Sequence, residues 1–273
     1  MPFDSRSFRD QTVPTGYGAD QRDRAHQAGG HQASAAQPSV DWAREIVVRH
    51  VRTAFPTLCA ALLSGSIVRA AATETSDIDV VVLLPEGAGS RRETTTWDGA
   101  PVDLFVYDPD GLTRWLGKDT QGRRPVLCSL LIDGHVVAGD AAAAEQAKAL
   151  ARKVYEAGPA KLSDAELDRL RFEATDLMLD LQSTVDRSEA LLLAAMLVQT
   201  TGDLVLNAAG RWTGRGKWLP RELRAYDPEL ARDLAAAHDD LARTGDAEML
   251  IRLVDNILAR HGGRMVAGRM EAG

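Results

Sequence analysis

An α/β (α+β) domain built on a mixed sheet, followed by an all-α helical bundle, is the architecture this sequence predicts, and three observations predict it. Short apolar runs bounded by Gly and Pro, "LCAALL", "DIDVVVLL" and "PVDLFVYD", crowd residues 58 to 108 and read as strands. Asp98-Gly99 stands between "RETTTW" and "PVDLFVYD", which is a hairpin signal. From about residue 141 the composition shifts to Ala, Leu, Asp, Glu and Arg, with apolar residues at helical spacing.

The elements follow in order. Trp42, Ile46, Val47, Val51 and Phe55 recur on one helical face, and Pro56 ends that helix. "LCAALL" runs as a strand into Ser64-Gly65-Ser66, and "DIDVVVLL" is a second strand stopped by Pro85. "RETTTW" and "PVDLFVYD" form the hairpin, and "VLCSLLIDGHVVAGD" supplies at least one more strand. A helix is expected over Ala141 to Glu156, with "EAGPAK" as its break. Ser163 and Glu166 have capping-box spacing ahead of Leu167, Leu170, Ala174, Leu177, Met178 and Leu181. Asp186 stands ready to cap the next helix, and further helical patterns follow Pro228 and Asp246. The expected divisions are a disordered tail at 1–38, an α/β domain at 39–158 and a helical domain at 159–273, with the boundary near Gly158-Pro159.

Composition narrows the function. A net charge of -7 argues against a surface that grips nucleic acid. Cys59 and Cys128 lack zinc or redox spacing, which fits a reducing, cytoplasmic setting. The first 38 residues carry no apolar signal core. The runs "VVVLL" and "ALLLAAMLV" are too short to span a bilayer, so no membrane association is expected.

Asp77 and Asp79 lie two residues apart at the head of an aliphatic strand, so they project to one side about 7 Å apart along it. Buried carboxylates are costly unless paired. On the later strand, Asp103 shares its phase with Phe105 and Tyr107, while Val102, Leu104 and Val106 face the other way. If the two strands are neighbours, Asp103 completes a triad. Three carboxylates without His or Cys make a hard oxygen site suited to Mg²⁺ or Mn²⁺. Gly65 permits close backbone approach, and the Ser66 hydroxyl with nearby N–H groups can cradle phosphate. A phosphate cradle facing a metal site implies phosphoryl or nucleotidyl transfer.

Gly65-Ser66, ten intervening residues, Asp77-Ile78-Asp79 and then Asp103 resemble the signature of the polymerase-beta-type nucleotidyltransferase superfamily. The resemblance spans roughly residues 40 to 110. With a helical half behind it, the chain is similar to the two-domain antibiotic nucleotidyltransferases that modify aminoglycosides or lincosamides. The resemblance implies metal-dependent transfer of a nucleoside monophosphate from an NTP, with ATP expected, to a hydroxyl of a small acceptor, releasing pyrophosphate. It implies that Asp77 and Asp79 hold the metal on the triphosphate, that Asp79 and Asp103 help hold the metal that activates the acceptor, and that Gly65 and Ser66 contact the β- and γ-phosphates. A homodimer and action on a protein partner, as in the antitoxin-type members, are further readings it opens. Addition to RNA ends is disfavoured by the acidic balance.

The remaining signals are two-sided. Enzymes of this type often add a carboxylate as general base, and Glu166, Glu173, Asp176 and Asp180 form an acidic stripe that either lines the cleft or is a solvated face. Glu173 and Asp176 are the candidates for the base. "GRWTGRGKWLPREL" either brings Lys217 to the triphosphate or is an interhelical turn with packed tryptophans. Arg69 either touches phosphate or is a surface arginine. The six histidines share no spacing, and neither a P-loop nor a serine-hydrolase elbow is present.

Overall fold

Ser39 accepts a hydrogen bond from the Trp42 amide and so opens the first helix, α1 (Val40–Ala54), whose Ala43, Ile46, Val47 and Val51 turn inward. A computed structural model describes residues 38–266, so the tail expected at 1–38 lies outside the described residues apart from Pro38. The strands β1 (Ala60–Ser64), β2 (Ile78–Leu83), β3 (Arg91–Trp97), β4 (Ala100–Tyr107) and β5 (His135–Gly139) form one sheet in the order β3-β4-β2-β1-β5. The pair β2 and β4 is parallel and every other neighbouring pair is antiparallel, so the sheet is mixed as expected.

Alternation along the strands builds two cores. Leu63, Val80, Val82, Val102, Leu104 and Val106 pack under α1, while Leu62, Val81, Phe105 and Tyr107 face the helices on the opposite side. Those helices are α3 (Pro109–Gly122), α4 (Val126–Asp133) and α5 (Ala141–Ala157); the short α2 (Gly65–Val68) follows β1 directly. The Asp98-Gly99 turn closes the β3–β4 hairpin, and it is tied to α1 by Arg49 and His50, which meet the Asp98 carboxylate at 2.5 and 2.7 Å.

Two helices of the sheet half depart from the sequence reading, as does α8 (Leu219–Tyr226) within the segment read as a turn. α3 starts where Asp108 accepts from the Gly111 amide with Pro109 in the first turn, a start signal hidden directly behind a strand. "VLCSLLID" is α4, not strand. The buried Asp119 carboxylate accepts from the Cys128 amide at 2.9 Å, which satisfies a donor at the start of that helix, and the strand is confined to β5.

The C-terminal helices are α6 (Asp164–Ser183), α7 (Arg187–Ala208), α8 (Leu219–Tyr226), α9 (Pro228–Thr244) and α10 (Glu248–Arg260). The capping box at Ser163 and Glu166 is formed, and Asp186 caps α7. Met178, Leu181, Leu197, Leu204, Leu234, Leu241, Val254 and Leu258 make their common core. By length and composition α7 is able to cross a membrane, a wider apolar stretch than its nine-residue run suggested. In this fold its Ala194, Leu197, Leu204 and Leu206 are buried in the helical core.

The segment after α7 ties the helices to the sheet. Trp212 Nε1 donates to the Tyr155 carbonyl at 3.0 Å, the Thr213 amide to the Arg123 carbonyl at 2.8 Å, and Gln199 Nε2 to the Gly214 carbonyl at 2.9 Å.

Candidate active site

The register of three strands assembles the site. Asp79 stands opposite Ser64 on β1 and opposite Asp103 on β4, with Asp77 just ahead of β2. Because β2 and β4 are parallel, both present their N-terminal ends on the edge where β1 finishes, and Gly65-Ser66 continues from β1 on that edge. Ligand oxygens of Asp77, Asp79 and Asp103 come within 4.8 Å of one another. Thr94 Oγ1 on β3 donates to Asp103 Oδ1 at 2.6 Å and fixes its rotamer.

The electrostatics follow from that crowding. Burial, then the charges of Asp77 and Asp103, push the Asp79 carboxyl up from 3.8 to about 6, against the pull of Arg69 and Lys217. Burial and the Asp103 charge raise Asp77 as well, again opposed by Lys217. Three carboxylates whose mutual repulsion is only partly offset by two cations, with no nitrogen or sulfur donor among them, fit a hard divalent cation. All three would hold it.

Gly65-Ser66 lies against this cluster. Gly65 has φ +76, and its missing side chain leaves the space that the Asp79 carboxylate occupies. Ser66 Oγ donates to Ser76 Oγ at 3.3 Å, and Ser76 Oγ accepts from the Thr73 amide at 2.8 Å. Ser76 was missed in the sequence, where its position one residue ahead of Asp77 was the available signal.

Arg69 is no free surface arginine. Its guanidinium donates to Asp133 Oδ2 at 3.2 Å and lies 5.1 Å from the Trp218 ring centre, while its Nε is buried with no hydrogen-bond partner among the described residues. Lys217 belongs to the short 3₁₀ turn Gly216–Trp218, exposed and within electrostatic reach of Asp77 and Asp79. Of the two tryptophans, Trp212 is packed and Trp218 is half-buried between Arg69 and Arg221.

Glu173 and Asp176 are exposed on α6 and are not members of the aspartate cluster. Glu166 is consumed by the capping box and an ion pair with Arg123 at 3.6 Å. The charge of Glu173 acts on Asp203 of α7, a carboxyl raised by burial and held by Gln199 Nε2 at 3.1 Å, with Arg215 and Arg124 opposing the rise. Asp203 too was missed, because a lone Asp inside an apolar helix carries no motif.

Residues 45–115 match the family model described as nucleotidyltransferase domain. This segment is a nucleotidyltransferase domain. It contains Gly65-Ser66 and the whole triad. No curated protein matches the chain. A solved structure described as a nucleotidyltransferase-like protein from Exiguobacterium sibiricum 255-15 aligns over 80% of this chain and 74% of its own length, at 12% identity and a TM-score of 0.41.

Within the nucleotidyltransferase domain the raised Asp79 carboxyl carries a stability consequence. The native state binds the Asp79 proton more tightly than the unfolded chain does. The stabilisation is therefore complete below pH 3.8 and is lost as pH rises through about 6. The loss is on the order of 3 kcal/mol, since each tenfold difference in proton affinity is worth about 1.4 kcal/mol. In metal-free buffer Asp79→Asn is expected to melt several degrees above the parent at pH 8 and to converge with it near pH 4. A melting series across that range checks the expectation, and a variant that melts lower at pH 8 contradicts it.

Proposed function

We propose that this protein transfers a nucleoside monophosphate from an NTP, with ATP as the expected donor, to a hydroxyl of a small molecule, using Mg²⁺ or Mn²⁺ held by Asp77, Asp79 and Asp103. The observation that carries the proposal is the convergence of the three carboxylates beside Gly65-Ser66, inside the segment that matches the nucleotidyltransferase domain. When bound, the metal supplies positive charge for the leaving pyrophosphate and lowers the pKa of the attacking hydroxyl. The residues of the chain do the rest. Gly65 makes room for the Asp79 carboxylate beside the backbone, Ser66 and Ser76 offer hydroxyl donors, and Arg69 with Lys217 adds cationic charge on the triphosphate side. Thr94 holds Asp103 in its rotamer. The acceptor would enter between the sheet and the helical half, whose mutual position is set by the Trp212, Thr213 and Gly214 contacts.

Lys217 is expected to act mainly in donor binding. One charge-assisted contact is worth about 1.5–3 kcal/mol, so Lys217→Ala should raise KM for the NTP roughly tenfold or more while kcat changes less. A variant with unchanged KM removes Lys217 from the site.

The reaction itself is tested by following α-labelled ATP, GTP, CTP and UTP, with Mg²⁺ or Mn²⁺, against pooled aminoglycosides, lincosamides, candidate proteins and short RNAs. Label on a small molecule supports the proposal and names the acceptor class. Label on protein or RNA replaces the small-molecule acceptor. No label on any pool, with NTP binding intact, overturns the proposed transfer to these acceptor classes.

A further inference from the structure

A cavity of about 280 Å³ lies where the C-terminal end of α5, the segment after α7 and helix α8 meet, lined by Tyr155, Glu156, Arg211, Trp212, Glu222 and Tyr226. None of these residues belongs to the aspartate triad or the phosphate cradle. Three of the lining side chains are aromatic, and the geometry of two is fixed. Trp212 is buried with its indole N–H bonded to the Tyr155 carbonyl, and the Tyr155 ring stacks on it with centroids 5.9 Å apart and 21° between planes. Tyr226 closes another side with its ring two-fifths exposed.

Glu222 is the anomaly in this cavity. It is half-buried, and among the described residues its carboxylate has no hydrogen bond and no ion pair. Burial alone raises its pKa, and burial, then the Glu222 charge, raises that of the Tyr155 hydroxyl. A carboxylate that has lost part of its water without gaining a partner is costly, and a cation entering the cavity removes that cost. Arg211 does not supply it: its guanidinium lies over the Tyr226 ring at 5.8 Å from the centroid and forms no ion pair with Glu222. That contact sets the Arg211 charge against the Tyr226 ring within the cavity lining.

Glu156 and Glu222 belong to no group of three or more convergent His, Cys, Asp or Glu ligands among the described residues, so nothing marks this cavity as a site for a hard divalent cation. Aromatic faces favour a weakly hydrated organic cation instead. We propose that this cavity binds a compact organic monocation, an alkylammonium or quaternary ammonium group, with Glu222 as counter-ion and Tyr155, Trp212 and Tyr226 as its aromatic wall.

Titration calorimetry on the full chain tests this with choline and tetramethylammonium, against 3,3-dimethyl-1-butanol, the uncharged isostere of choline. Choline should bind saturably at one site, and the neutral isostere at least about tenfold more weakly, as expected if a desolvated cation–π contact and an ion pair are lost. Glu222→Gln and Tyr226→Ala should each weaken choline by a similar factor, and Asp79→Asn should bind it as the parent does. Tyr226 is a surface position, so its variant keeps the test valid if Glu222→Gln fails to fold. Equal binding of choline and the isostere, no saturable binding of either cation, or choline affinity unchanged in both cavity variants would overturn the assignment. Loss of choline binding in Asp79→Asn would move the cation to the triad and overturn it as well.

Discussion

Asp79→Asn is expected to abolish nucleotidyl transfer while leaving the protein folded. Asp79 is the central member of the triad. It is opposite Asp103 in the parallel register, it shares the cluster with Asp77, and its carboxylate fills the space left by Gly65. Asparagine keeps the size and one carbonyl oxygen but removes the charge that a divalent cation requires. Losing a preorganised electrostatic contact at a reacting centre costs about 10²–10³ in rate. A ligand that serves both proposed metal sites stands at or beyond the upper end, near three orders of magnitude, or on the order of 4 kcal/mol of barrier. Removing one of three crowded negative charges relieves repulsion, so the melting temperature at neutral pH should not fall. Initial rates of label transfer, measured with melting curves on the same samples, decide the matter. Metal-dependent turnover near that of the parent would remove Asp79 from the chemistry.

Much of this site was legible because strand alternation is rigid. Once Asp77, Asp79 and Asp103 are given strand phases, a parallel pairing of β2 with β4 forces them together, and that pairing is observed. Gly65 was legible as a position where a side chain would not fit, but what packs against it at φ +76 is the Asp79 carboxylate, a partner that only the β1–β2 register supplies. α4 was illegible because a short run such as "VLCSLL" fits a strand or a buried helix equally. Asp119, seven residues before α4 begins, favours the helix, and only the tertiary fold brings its carboxylate to the Cys128 amide. Ser76 and Asp203 were missed for the same reason, since each is meaningful only through a partner: Ser66 across the turn and Gln199 one helical turn away. Lys217 was suspected from its neighbours, but its reach to the triad depends on Trp212 and Thr213 anchoring the segment to Tyr155 and Arg123.

That close packing makes Gly65 a sensitive position in the domain. In Gly65→Ala, the added methyl overlaps the Asp79 carboxylate and comes within 2.8 Å of its Cβ. An L-residue at φ +76 also bears left-handed strain of about 1–2 kcal/mol. The chain has two ways to respond, and both damage the site. If Asp79 swings away, the triad loses its central ligand. If the backbone of residues 64 to 66 retreats, Ser66 leaves the proposed phosphate position and the β1–β2 register at Ser64 and Asp79 is strained. A displacement of about 1 Å at a reacting centre costs on the order of 100-fold. Gly65→Ala should therefore lose at least two orders of magnitude in kcat/KM for the NTP and bind metal more weakly, with only a modest drop in melting temperature. Ser66→Ala is the natural comparison, since it deletes the hydroxyl without moving the backbone and should show a smaller loss carried mostly by KM. If Gly65→Ala kept the kcat/KM of the parent, the glycine would be only a turn residue, and the phosphate cradle would have to be sought elsewhere along the edge of the sheet.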